Sequence, residues 1–245
     1  MGGTAAIVVA APYGPGARSS LYWTHVAGRP LAAWSLDVFA QSPLIDEIVL
    51  ATPPRHLRAA SDLIARVPHP CIHPVVVDPS MRSLADIVRT ALAAISPQRT
   101  IIVVHDAAQP LLRPEVLEES LTTVDDETAV VTGVPVTDTI KVVDAARNVQ
   151  STPDRAGIWQ LQPTMIFPRR PLEEGLSAAE HSGPAHSMSG GADLERVLIL
   201  CRVRRRHIVR AGDEDLVVRS VKDLALAAER LRGHGTGRSR QEAQG

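Results

Sequence analysis

Short apolar runs alternate along the chain with longer stretches in which apolar residues recur at helical spacing. Five of these runs span residues 6–11, 47–52, 74–78, 100–105 and 128–134. They are continuously apolar and rich in β-branched residues, instead of alternating between apolar and polar positions. This pattern is typical of strands that are covered on both faces, as in a parallel sheet.

The stretches between these strands have the apolar stripe of amphipathic helices. Leu84, Val88 and Ile95, for example, fall on one face of a helix. Further predicted helices, each with a proline near its start, span 30–41, 54–67 and 114–124. Strands and helices that alternate in this way are joined by right-handed crossovers. The sequence therefore predicts an α/β fold with a Rossmann-like, doubly wound, mostly parallel sheet.

The pattern changes after residue 134. Residues 138–144 alternate between polar and apolar, residues 145–148 have the composition of a turn, and residues 149–152 return to strand character. This spacing predicts a β-hairpin that projects from the sheet as an arm, at about residues 136–160.

The last third of the chain is predicted to hold a flexible loop at 181–191, a strand at 206–210 and a helix at 221–231. A tail rich in Gly, Arg and Ser follows at 233–245 and is expected to be disordered. We expect one domain over residues 1–232, since α/β domains often reach this length.

Composition excludes several classes of function. Hydrophobic residues make up 44% of the chain, charged residues 22%, and the formal net charge is −1, so no overall field attracts nucleic acid or an anionic membrane. No stretch has the roughly 20 apolar residues that a membrane helix needs. Two cysteines without a CxxC pattern, and no basic signal region, fit a reducing compartment. We expect a cytoplasmic protein that binds neither nucleic acid nor membranes.

A glycine turn follows the first predicted strand, at the kind of strand end where open parallel sheets bind ligands. Gly14 and Gly16 would let backbone N–H groups approach a phosphate, and Arg18 would add a cation. An ordinary surface turn is the alternative, because Pro15 removes one N–H donor. A dinucleotide-binding fingerprint is excluded, since Ser19 stands at its third glycine position.

A second candidate follows the predicted strand 100–105. There Asp106 could hold a divalent metal against phosphates, or it could simply cap the following turn. Residues 69–73 (HPCIH) also carry ligands suited to zinc. No second cluster in the sequence completes a tetrahedral zinc site with them, so a zinc site is not predicted.

Four motifs occur in order along the chain: VHDAA at 104–108, DTIK at 138–141, TPDRAGIW at 152–159 and DLALA at 223–227. In this order the chain resembles the 2-C-methyl-D-erythritol 4-phosphate cytidylyltransferases of isoprenoid synthesis, from about residue 5 to residue 231. The resemblance implies a fold of the nucleotide-diphospho-sugar transferase type. It also implies transfer of a cytidylyl group from CTP to a sugar-alcohol phosphate, with Mg²⁺ as cofactor.

The resemblance implies roles for residues on the nucleotide side of the site. Gly14, Gly16 and Arg18 would cradle the triphosphate of CTP or another nucleotide, and Arg18 would take part in catalysis. Asp106 would be catalytic as the ligand of Mg²⁺. Arg82 would contact the substrate, although it lies upstream of the family's position.

The resemblance also implies roles at the acceptor substrate. Ala107 and Thr139 would bind the substrate, and Arg155 would be catalytic. Thr139 and Arg155 lie on the predicted arm, and the arms of the family embrace in a homodimer. These two residues would therefore hold the substrate phosphate of a partner subunit.

Several phosphate-binding positions depart from the family pattern. No lysine precedes Lys141, Gln109 stands where the family has Arg, and Val217 replaces a phosphate-facing lysine. Three alternatives follow: a working cytidylyltransferase with an altered site, a catalytically inactive paralogue that binds a nucleotide or a protein, or a transferase for another sugar phosphate or cofactor.

Overall fold

A computed structural model describes residues 2–13, 20–81, 83–181, 192–212 and 215–241. The strands in these ranges are β1 (Gly3–Val9), β2 (His25–Val26), β3 (Arg29–Pro30), β4 (Glu47–Thr52), β5 (Ile72–Val76), β6 (Arg99–Asp106), β7 (Thr128–Pro135), β8 (Val142–Val143), β9 (Val149–Ser151), β10 (Trp159–Pro168) and β11 (Arg205–Arg210). The helices are α1 (Ser20–Trp23), α2 (Leu31–Gln41), α3 (Leu57–Ile64), α4 (Leu84–Leu92), α5 (Pro114–Thr123), α6 (Arg169–His181), α7 (Ala192–Leu200) and α8 (Val221–Gln241).

Seven strands form the central sheet in the order β11-β7-β10-β6-β1-β4-β5. β10 runs antiparallel to both of its neighbours, and every other pair in this sheet is parallel. The predicted α/β class with a mostly parallel sheet is confirmed. Because β1, β4, β6, β7 and β11 run in the same direction, their carboxyl ends share one edge of the sheet.

Both faces of the sheet are covered by helices, which explains the continuous apolar runs. Ala5, Ile7 and Val9 of β1 point to one face, where α4, α6 and α7 pack. The alternate positions of β1 point to the opposite face, where α2, α3 and α5 pack. The doubly wound arrangement predicted from the sequence is therefore present.

The predicted arm is a separate two-stranded hairpin. β8 pairs antiparallel with β9, with Val142 opposite Ser151. The chain leaves the sheet at the carboxyl end of β7 and returns through β10, so the arm starts from the edge that holds the carboxyl ends of the parallel strands.

Some predicted boundaries are wrong. β1 covers Gly3–Val9 instead of 6–11 because its early residues pair with β6, and β5 covers Ile72–Val76 instead of 74–78. α8 continues to Gln241, beyond the predicted end at 231. Residues 233–241, part of the tail expected to be disordered, are thus helical, since each residue added to a formed helix gains one backbone hydrogen bond. Of the predicted loop 181–191, residues 182–191 lie outside the described ranges.

No helix within the described ranges is both long and apolar enough to cross a membrane.

Candidate functional site

The carboxyl ends of β1 and β6 lie side by side. Val9 pairs with Asp106, and the N–H of Ala107 donates to the Val9 carbonyl at 3.0 Å. Asp106 therefore sits at the tip of β6, next to the point where β1 leads into the glycine turn. Ala107 itself is completely buried, and the substrate contact expected from it stays a prediction.

The Asp106 carboxylate is 7% exposed and accepts two hydrogen bonds. The Ala108 N–H donates to Oδ1 at 2.9 Å, and the Tyr13 hydroxyl donates to Oδ2 at 2.5 Å. The first bond is the turn cap expected as the alternative role of Asp106. Among the described residues, no Lys, Arg or His nitrogen lies within 4.0 Å of this carboxylate.

Burial raises the pKa of Asp106, and its hydrogen bonds to Tyr13 and Ala108 lower that pKa in part. Burial, and then the nearby charge of Asp106, raise the pKa values of Tyr13 and Tyr22 well above 10. Both phenols therefore stay protonated at neutral pH and act as neutral hydrogen-bond donors. Hydrogen bonds from neutral donors reduce the free-energy cost of burying the Asp106 charge, but they leave the charge itself without a counter-ion.

The glycine turn is flanked on both sides by residues that reach Asp106. Gly14, Gly16 and Arg18 lie outside the described residues, as does Arg82. Tyr13, directly before the turn, donates to Asp106. Tyr22, in the helix directly after it, is close enough for the charge of Asp106 to raise its pKa.

Arg219 is a cation near Asp106 that sequence reasoning missed. Its positive charge lowers the pKa values of both Asp106 and Tyr13. It belongs to the connection between β11 and α8, where the Val218 N–H donates to the Ala108 carbonyl at 2.7 Å. This bond holds the connection against the turn that Asp106 caps. One signal in the sequence pointed to it: Arg219 lies two residues after Val217, the position where the resembled family has a phosphate-facing lysine.

A buried polar network supports the tip of β6 from beneath. The ring nitrogens of His105 lie 2.8 Å from Thr164 Oγ1 and 3.0 Å from Ser35 Oγ. The Thr164 hydroxyl donates to Gln109 Oε1 at 3.1 Å. Burial lowers the pKa of His105 to about 3. A neutral, fully enclosed imidazole is part of the scaffold and has no access to a substrate.

Gln109 links this network to the connection after β11. Its amide nitrogen lies 3.4 Å from Gln162 Oε1 and 3.4 Å from Asp215 Oδ2. The side chain is completely buried. The residue that stands in place of the family's Arg therefore serves as an internal tie and is not exposed to a phosphate.

Thr139 and Arg155 are exposed on the arm, and the hydrogen bond of Arg155 stays within it. The Arg155 guanidinium donates to the Thr137 carbonyl, and Asp154 caps the short 3₁₀ turn Arg155–Gly157 by accepting from the Ala156 N–H at 3.0 Å. Within the described part of the chain, neither Thr139 nor Arg155 contacts Asp106. The fold thus brings Tyr13, Tyr22 and Arg219 to Asp106 and leaves the arm residues apart.

A family model described as IspD, 2-C-methyl-D-erythritol 4-phosphate cytidylyltransferase, matches residues 4–232. A relative with that enzyme name from Symbiobacterium thermophilum is 34% identical over 183 residues, covering 74% of this chain and 73% of the relative. Another from Lachnospira eligens is 26% identical over 230 residues, covering 93% and 99%.

A crystal structure titled 4-diphosphocytidyl-2C-methyl-D-erythritol synthase, from Anaerococcus prevotii, superposes with a TM-score of 0.81. It is 20% identical, and the match covers 94% of this chain and 96% of that one, so the likeness concerns the fold. The family match, in contrast, extends over nearly the whole sequence. The chain belongs to the IspD family, the 2-C-methyl-D-erythritol 4-phosphate cytidylyltransferases.

Proposed function

We propose that this protein transfers the cytidylyl group of CTP to 2-C-methyl-D-erythritol 4-phosphate and releases pyrophosphate. An oxygen of the substrate phosphate attacks the α-phosphorus of CTP, and the bond from that phosphorus to the β-phosphate oxygen breaks. The observation that carries the proposal is Asp106, a buried carboxylate at the carboxyl edge of the sheet whose close partners are neutral donors.

The donor chemistry at Asp106 fits Mg²⁺. Mg²⁺ prefers oxygen ligands and is commonly held by one or two carboxylates together with substrate phosphates. Oδ1 accepts from the backbone N–H of Ala108, whereas Oδ2 accepts from the side-chain hydroxyl of Tyr13, for which a bound ion would compete. We infer that Asp106 would hold the ion through Oδ2, and that the ion would neutralise charge on the polyphosphate.

Arg219 takes the electrostatic role in the proposed mechanism that the missing lysines leave open. Phosphoryl-group transfer asks the protein mainly for positioning and for neutralisation of negative charge. Arg219 lies within electrostatic reach of Asp106 on a connection tied to the Ala108 carbonyl. Arg18, Gly14 and Gly16 remain proposed triphosphate contacts because both flanks of their turn approach Asp106.

The acceptor phosphate would bind to Thr139 and Arg155 from a second subunit. Support comes from the arm, which carries apolar side chains that a monomer leaves in water: Ile140, Val142, Val143 and Val149, the last 61% exposed. Covering such residues between two arms would stabilise a homodimer. Sedimentation of a single species with monomer mass at micromolar concentration would contradict this part of the proposal.

Release of pyrophosphate tests the function directly. The purified protein is incubated with Mg²⁺, 2-C-methyl-D-erythritol 4-phosphate and, in separate reactions, each of the four nucleoside triphosphates. We expect turnover with CTP that Asp106→Ala abolishes. Turnover with a different triphosphate would indicate another transferase of the same fold. Silence in all mixtures, with CTP bound in a calorimeter, would instead support an inactive paralogue.

A further inference from the structure

A second cluster of ligating side chains lies away from the proposed transferase site. Glu47, Cys71 and His73 each offer one potential ligand atom: a carboxylate oxygen, Sγ and a ring nitrogen. These three atoms lie within 4.8 Å of one another. The sequence alone showed potential ligands at His69, Cys71 and His73 without a second cluster, and the fold supplies Glu47.

The register of two neighbouring strands creates this cluster. β4 and β5 pair in parallel, with Ile48 opposite Ile72, and the Ile48 N–H donates to the Cys71 carbonyl at 2.9 Å. Residues two apart on a strand point to the same face of a sheet. Cys71 and His73 therefore share a face, and the pairing puts Glu47 beside them at the start of β4.

We propose that Glu47, Cys71 and His73 bind a thiophilic divalent cation of the zinc class. Thiolate, imidazole and carboxylate are the three side-chain ligand types of protein-bound Zn²⁺. One thiolate and one carboxylate balance the two positive charges of the ion. A magnesium ion would be a poor occupant, because Mg²⁺ prefers an all-oxygen shell.

Two further groups hold the carboxylate in position. Arg99 Nε lies 3.2 Å from Glu47 Oε2, and the Ser96 N–H lies 3.3 Å from each of the two oxygens. An ionised carboxylate has about four acceptor positions, so these donors leave room for a metal bond. Mutation of groups that orient a ligand in this way commonly lowers metal affinity by about 10- to 100-fold.

His69 is not part of the proposed ligand set. Its Nδ1 lies 3.1 Å from the Cys71 carbonyl oxygen, and its Nε2 lies 3.1 Å from the Ile45 carbonyl oxygen. Both ring nitrogens therefore face backbone atoms. The ring fixes the backbone directly before β5.

The site is independent of the proposed cytidylyl transfer. Glu47 pairs with Ala5 of β1, whereas Asp106 pairs with Val9. Four residues of strand separate these positions, or roughly 13 Å along the sheet. A bound ion would fasten the edge strand β5 to β4 and so stabilise an edge that is otherwise open to pairing with other chains.

Cobalt spectroscopy tests the proposal because the chain has only two cysteines. The full-length protein, stripped with a chelator, is titrated with Co²⁺. We expect a thiolate-to-cobalt charge-transfer band that Zn²⁺ displaces and Mg²⁺ does not. The band should survive in Cys201→Ser, the matched control, and vanish in Cys71→Ser. His73→Asn and Glu47→Gln should each weaken Co²⁺ binding at least about tenfold.

Absence of the band from the wild type, or its persistence in Cys71→Ser, would overturn the proposal. So would unchanged Co²⁺ affinity in both His73→Asn and Glu47→Gln. Alkylation of the wild type avoids any folding defect of the variants. Iodoacetamide modification of Cys71, followed by peptide mass spectrometry, should slow at least about tenfold with Zn²⁺ and remain unchanged with Mg²⁺. Equal rates with and without Zn²⁺ would reject the site.

Discussion

Two buried carboxylates at opposite ends of the parallel strands are satisfied in different ways. Glu47, 3% exposed at the start of β4, lies 3.2 Å from the Arg99 guanidinium. Asp106, 7% exposed at the end of β6, accepts from the Tyr13 hydroxyl and a backbone N–H. Glu47 has a resident cation in direct contact, whereas Asp106 has Arg219 only at longer range.

The difference separates a carboxylate that stabilises the fold from one that costs stability. A buried charge without a paired cation opposes folding, and the raised pKa of Asp106 expresses that cost. Such a cost is typical of sites that are completed by a ligand. On this view the carboxyl edge is arranged to receive a cation together with the nucleotide.

The largest expected effect is that of Asp106→Asn on activity. An amide keeps the shape of the side chain and the Ala108 bond, but it binds Mg²⁺ far more weakly than a carboxylate, so the ion that would neutralise the polyphosphate is lost. We expect turnover to fall by about 10²–10³. The midpoint of urea unfolding at neutral pH should stay the same or rise, because the buried charge is gone.

Activity and urea stability must both be measured for Asp106→Asn. A variant that loses activity and also unfolds at much lower urea concentration would mean that Asp106 is mainly structural. In that case the contrast with Glu47 would disappear.

Glu47→Gln should show the opposite pattern. The substitution removes the charge that pairs with Arg99 and weakens the bonds from the Ser96 N–H. We expect the free energy of unfolding to fall by about 1.5–3 kcal/mol, the usual value for a hydrogen bond to a charged group. The measurement uses chelator-treated protein, so that metal binding does not contribute. Unchanged stability would show that the ion pair is dispensable.

His105 predicts a pH dependence of stability. Its folded-state pKa is lowered to about 3, so it must stay neutral in the native state while the unfolded chain takes up a proton below about 6.5. The stability it contributes is therefore present above pH 6.5 and is lost as the pH falls toward 3. Between pH 7 and 5 the loss should be about 2 kcal/mol.

Asp106 works in the opposite direction, because its raised pKa favours the native state at lower pH. The observed dependence of stability on pH is therefore the difference between the contributions of His105 and Asp106. An NMR titration measures the two groups separately. The imidazole of His105 should remain neutral at pH 5. A midpoint near 6.5 for this ring would contradict its enclosure by Ser35 and Thr164.

Tyr13→Phe should have the smallest effect. The variant removes the hydroxyl that competes for Asp106 Oδ2. A net hydrogen bond is worth about 1 kcal/mol, so half-maximal activity should need about fivefold less Mg²⁺. Tyr22→Phe is the comparison for loss of a second phenol near the same carboxylate. A higher Mg²⁺ requirement in Tyr13→Phe would mean that the phenol assists metal binding.

Much of the fold could be predicted because strands covered on both faces leave a clear apolar signal. β4 was predicted at its observed limits, 47–52. β10 was missed, since an antiparallel strand with polar residues such as Gln160 and Gln162 carries a weaker signal. Strand ends were harder, because backbone pairing with neighbouring strands decides them.

The candidate site was only partly predictable for a different reason. Asp106 follows an apolar run directly, so local sequence points to it. Arg219 and Glu47 lie far along the chain from the groups they approach, and only strand order and register bring them near. Gln109 stands where the resembled family has a phosphate-binding Arg, whereas in the structure it is a buried residue hydrogen-bonded to Asp215.

The bond from the Val218 N–H to the Ala108 carbonyl uses main-chain atoms alone. Its length does not depend on which side chains flank it. The path of the connection past the tip of β6 is therefore fixed by the backbone. Val217 packs against the core, and Arg219 carries the positive charge that acts on Asp106. A substitution at 219 would change the charge beside Asp106 without changing that path.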